Sequence, residues 1–226
     1  MGSFMNFLSH HYVARAQASE AAPAFFIGNV LPDLLAVEGG GRIRPAMLQA
    51  AAPTDLTRGI ALHLATDKRF HQHPLFLGAM DEATALFHQA PFAVPPQRVF
   101  FLSHVFVEIA LDAVLIRRDA NLAIDFYAQF GKADLTALVR EVEAVRGTPA
   151  PRLLGVLDHF AQAQYLLGYE TDNGLARALS GIRSRAGLPP SWGDDERRIV
   201  AHLFEQFVPR AAQIGPELWQ TPAEPW

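Results

Sequence analysis

No cysteine occurs among the 226 residues. That absence excludes disulfides, thiolate zinc and a catalytic thiol, and leaves any metal to nitrogen and oxygen donors. Positive charge is not in excess either. Nineteen Lys and Arg against 23 Asp and Glu give a formal net charge of -4, which offers no general attraction to nucleic acid or to an anionic membrane. A secretory leader is not evident, because the first apolar run already holds His10 and His11 and no cleavage pattern follows. Strand-like alternation, internal repeats, low-complexity tracts and composition shifts are all missing.

What is present reads as a globular, cytoplasmic chain. Hydrophobic residues make up 50% and charged residues 19%, a profile that can bury a core and fits one domain over residues 1–226, with an irregular tail from about 215. Met5 is the expected natural start, with Met1–Phe4 an addition ahead of it. Helical periodicity predicts Met5–Gln17, with Phe7, Leu8, Tyr12 and Val13 inward, and a broken or short helix over Phe25–Leu35. A loop-rich stretch is expected over Arg42–Pro53, and a helix capped by Thr54 is expected to follow, with a break near Pro74. Further helices are expected to Gln89 and over Val99–Ile116, Leu122–Phe130, Ala133–Arg146, Arg152–Leu167, Asn173–Arg185 and Asp194–Ile214. The fold class is therefore all-α, a compact irregular bundle of about eight to ten helices.

Two polar stripes interrupt this pattern. His63-x3-Asp67-x3-His71 and His104-x3-Glu108-x3-Asp112 each place three metal-capable side chains on one helix face. The second runs through an apolar segment long enough to span a membrane. Its ionisable face and the closing Arg117 and Arg118 favour a buried helix that presents a site, with no membrane span. Imidazoles and carboxylates suit manganese, iron, zinc or magnesium, and manganese is the expected ion. His10 and Asp33 are further donors, and the stripes read as two walls of a metal site. Asp158-His159 reads as a helical core or surface pair, His88 and His202 as surface or helix-face residues, Trp192 and Trp219 as packing anchors, and His73 as a residue whose ring ends a helix.

Several segments together resemble the acyl carrier protein phosphodiesterase family. They are Met5-Asn6-Phe7-Leu8-Ser9-His10, Gly28-Asn29-Val30-Leu31-Pro32-Asp33, and Arg58-Gly59 leading to His63-x3-Asp67 and His73-Pro74, followed by Tyr169, Leu179, Gly181, Ser184 and Arg185. The resemblance implies an all-α fold distantly related to the HD phosphohydrolases. It also implies release of 4′-phosphopantetheine from a carrier-protein serine, with a divalent metal on His10, Asp33, His63, Asp67 and His104. Asp67, His71, Glu108 and Asp112, with His10 and Asp33, are the expected catalytic groups. Asn29, Arg58, Lys68, Arg69, Tyr169 and Arg185 are the expected substrate contacts.

Departures from the family pattern fall at Leu64, usually arginine, His71, usually aspartate, and Ser103, also usually aspartate; Glu108 and Asp112 mark a divergent branch. Acyl carrier protein is thus the first expected partner. A different small phosphoester, or a non-catalytic helical protein keeping a remnant site, stands as the alternative. A purely structural dimer would instead salt-bridge the stripes to one another. An acidic carrier protein calls for a basic docking surface, for which the arginines at 42, 44, 58, 117, 118, 183 and 185 are candidates.

Overall fold

The computed structural model describes residues 6–39, 41–188 and 192–220. Among these the secondary structure is entirely helical: twelve α-helices and one 3-10 helix, more than the eight to ten expected. The surplus arises because the helices expected over Phe25–Leu35 and Arg152–Leu167 are each divided and a further short helix forms over Pro45–Ala50. The chain forms two compact units, each built from discontinuous segments, and passes from one to the other after Arg69, Ala120, Gln164 and Trp219.

The first unit contains α1 (Phe7–Gln17), α2 (Pro23–Gly28), α3 (Leu31–Glu38), α4 (Pro45–Ala50) and most of α5 (Asp55–Gln72). It also contains α8 (Asn121–Lys132), α9 (Leu135–Arg146) and α10 (Leu153–Ala163). Apolar residues at helical spacing close its core. Phe7 of α1 meets Phe160 of α10 at 4.9 Å and Phe126 of α8 at 6.5 Å between ring centroids. Alpha-8 packs on α1 and α2, and α3 packs on α10. Glu38 and Arg146 form a buried ion pair at 3.8 Å that links α3 to α9.

Alpha-5 starts where Thr54 was expected to cap it. The Thr54 hydroxyl accepts from the Thr57 N–H at 3.2 Å, and the Thr57 hydroxyl accepts from the Thr54 N–H at 2.8 Å. Two glycines bring α2 and α5 together. A Cβ on Gly59 would lie 2.1 Å from the Phe25 carbonyl oxygen, and one on Gly28 would lie 2.4 Å from that of Leu56. Only hydrogen at these positions permits so close a backbone approach.

The second unit contains α6 (Pro74–Gln89), α7 (Val99–Arg118), a 3-10 helix (Tyr165–Glu170), α11 (Asp172–Arg185) and α12 (Asp194–Leu218). Alpha-7 is its centre and packs on all four of the others. Phe106 stacks on Phe204 at 4.1 Å and meets Phe207 and Phe87 at 5.1 and 5.3 Å. Among the described residues α7 alone is long and apolar enough to cross a membrane, and 78% of its most apolar window is buried inside the fold.

Several expectations need correction. Tyr12 points outward at 43% exposure rather than into the core. The loop-rich stretch contains α4, whose residues are none of them buried. The helix expected over Arg152–Leu167 divides at Gln164, whose left-handed φ of 43° ends α10 and opens the 3-10 helix. His73 does not end a helix. Its Nδ1 accepts from the Leu75 N–H at 3.2 Å and so starts α6 ahead of Pro74. The irregular tail begins later than expected, since α12 continues through Pro216 to Leu218. Met1–Met5, Pro222, Pro225 and Trp226 lie outside the described residues.

Candidate metal centre

Within the first unit, α1, the α2–α3 junction and α5 bring His10, His63 and Asp67 together. Each offers a donor atom within 4.8 Å of the others. Asn29 organises the group from a fully buried position. Its side-chain amide donates to the His10 carbonyl at 2.7 Å, and its own carbonyl accepts from His63 Nδ1–H at 2.9 Å. A carbonyl can only accept, so the neutral His63 ring carries its proton on Nδ1 and turns the Nε2 lone pair inward. The His10 ring stacks on it at 4.1 Å, and Asp33 Oδ1 lies 3.9 Å from His63 Nε2. A ring fixed through one nitrogen by a backbone carbonyl is the arrangement that metal-ligating histidines need. Two imidazoles and a carboxylate, two of the three buried, fit a divalent cation.

Within the second unit, His71, His104 and Glu108 form another group of three donors within 4.8 Å. Both imidazoles place Nε2 at 3.1 Å from the same oxygen, Glu108 Oε1. The rings stack at 4.7 Å, and Phe76 meets each edge-on at 5.1 and 5.4 Å. Glu108 is fully buried, whereas the His71 and His104 side chains keep 21% and 26% of their exposure. Burial acts to raise the Glu108 carboxyl, but His104 and then His71 outweigh it and hold the group down at about 2.

The stripes thus divide: His63 and Asp67 join His10, and His71 joins His104 and Glu108. Asp112 is buried one turn beyond Glu108 and belongs to neither donor group. Tyr169 is buried in the 3-10 helix, and Arg185 is exposed at the end of α11. Arg69 donates to the Gln220 carbonyl. Arg58 and Lys68 line a cavity of about 630 Å³ between α4 and α5, with Leu48, Ala61 and Leu64. Arg44 lines a second groove on the other side of α4. Several candidate cations are engaged: Arg58 pairs with Asp55 at 3.3 Å, Arg117 pairs with Asp172 at 2.6 Å, Arg118 lies over Trp219, and Arg183 is buried against Trp192.

Sequence reading missed three features. His11 is buried and donates through Nε2 to Asp125 at 3.1 Å; burial pushes the ring down to about 4 against the opposing pull of that carboxylate. Ser103 is buried and hydrogen-bonds Thr84 at 2.9 Å. Asn29 holds the His10 carbonyl and the His63 ring, a role additional to the substrate contact expected of it. Two of these partners, Asp125 and Thr84, are remote in sequence and carry no local signal.

No curated protein and no solved structure matches the chain. A family model described as acyl carrier protein phosphodiesterase matches residues 5–209, a span that takes in both donor groups and the Asn29 junction. The chain belongs to the acyl carrier protein phosphodiesterase family.

Proposed function

We propose that this chain is a metal-dependent phosphodiester hydrolase that releases 4′-phosphopantetheine from a carrier-protein serine. Family membership supports the substrate, and the His10, His63 and Asp67 group carries the metal dependence. These three residues would hold the ion, with manganese favoured and iron, zinc or magnesium as alternatives. When bound, a divalent cation supplies Lewis acidity toward a phosphoryl oxygen and makes water a better nucleophile at neutral pH.

The protein's own groups do the rest. Asn29 fixes the His63 tautomer and holds α1 in place through the His10 carbonyl. Asp33, 3.9 Å from His63 Nε2, accepts the proton of the attacking water. The water oxygen joins phosphorus, the bond to the serine oxygen breaks, and that oxygen takes a proton from solvent. Arg44 and Lys68, in two grooves flanking α4 whose linings carry no carboxylate, favour an acidic partner; Arg58 lines the Lys68 groove but pairs with Asp55.

Turnover of phosphopantetheinylated carrier protein, read as the mass loss of the carrier, tests this. Metal-loaded wild type releases phosphopantetheine, and His63→Ala and Asp67→Asn lose the activity by at least about a hundredfold. Cleavage of bis-p-nitrophenyl phosphate without cleavage of the carrier would move the substrate to a small phosphoester. Failure on both would leave a binding protein with a remnant site.

A further inference from the structure

The geometry points to a second metal site in the second unit, in which His71, His104 and Glu108 bind one divalent first-row transition cation. All three donors lie in the second unit and none is shared with the His10, His63 and Asp67 group.

Three observations carry it. First, both Nε2 atoms converge at 3.1 Å on a single carboxylate oxygen. One imidazolium is enough to neutralise one buried carboxylate, so a second ring aimed at the same atom is unexplained by charge pairing. Second, the rings are pre-set: they stack on each other with 28° between their planes and are held edge-on by Phe76. Third, the carboxylate is fully buried while both rings remain partly exposed, so an ion can enter from the imidazole side. Two imidazoles and one carboxylate leave coordination positions open, and such a set selects manganese, iron, cobalt or zinc over calcium. Binding needs each Nε2 lone pair. The proton that each ring now directs at Oε1 therefore moves to Nδ1 or leaves to solvent, and the cation takes the place of the two hydrogen bonds.

Untagged, chelator-stripped chain loaded with cobalt or manganese tests this by metal content after gel filtration and by the cobalt absorption spectrum. Wild type is expected to retain two ions. Glu108→Gln and His71→Asn each lose one ion and its share of the cobalt absorption, while His63→Ala loses the other. His71→Asn alters a partly exposed ring and keeps the test open should Glu108→Gln fail to fold. Equal metal content and an unchanged spectrum in wild type, Glu108→Gln and His71→Asn would overturn the second site. Metal lost in those two variants but unaffected by His63→Ala would uphold it and sink the proposed catalytic site instead. A wild type that takes up no ion under any loading would overturn both.

Discussion

A histidine sealed from water is costly to protonate, and His11 shows how that cost reaches the whole fold. Its neutral ring donates to Asp125, and burial holds it at about 4 against 6.5 for an exposed imidazole. The unfolded chain takes up this proton near pH 6.5 and the folded chain only near pH 4. Stability from this group is therefore complete above pH 6.5 and is lost as pH falls toward 4, by about 3 kcal/mol in all. Urea midpoints at pH 7 and pH 4.5 should show a smaller drop for His11→Gln than for wild type. Asn29 gives a second residue-scale prediction. Asn29→Ala removes the amide that holds the His10 carbonyl but leaves the backbone bond to His63. Metal affinity at the first group should fall about 10- to 100-fold in a titration while the circular dichroism stays helical.

Among the elements, the crossing of α2 and α5 positions His63. Gly59→Ala would drive a methyl into the Phe25 carbonyl, so the helices must separate, at a cost of about 3 kcal/mol or more, with loss of bound metal. Gly78→Ala is the control: a Cβ there meets nothing within 4 Å, and removing a helical glycine should stabilise by about 0.5 to 1 kcal/mol. Thermal melts of the two variants should move in opposite directions. At this scale the sequence was legible wherever a local rule decides the outcome. Thr54 and Pro74 mark their helix starts, and the 3.6-residue period marks α5 and α7. Alpha-4 was not legible, because its residues bury no face and leave no periodic signal. The break at Gln164 was not legible either, since a left-handed glutamine is chosen by its surroundings. The donors themselves were legible by type and spacing. Their division into two groups was not, because equal spacing along α5 does not say which neighbour each side chain meets.

Across the molecule, a net charge of -4 coexists with two groove linings beside α4 that carry cations and no carboxylate, Arg44 in one and Lys68 with the Asp55-paired Arg58 in the other. If those grooves receive an acidic carrier, raising salt from about 0.1 M to about 1 M shortens the screening length from about 10 Å to about 3 Å. kcat/KM for the carrier should then fall roughly tenfold or more, and Lys68→Glu should act similarly, while cleavage of a small uncharged-arm diester stays within about twofold. Steady-state rates on both substrates at the two salt concentrations check this.

The interleaving of the two units has a bearing on how the chain is born. Helices α1 and α2 are made well before α8, on which they pack and which begins only at Asn121, after α6 and α7. At about 5 to 20 residues per second, the first seventy residues wait several seconds for the partner that covers their aromatic face. During that interval Phe7, Phe25 and Phe26 lack their final cover, and a nascent chain stalled near residue 120 would be a natural client for a chaperone that recognises aromatic segments.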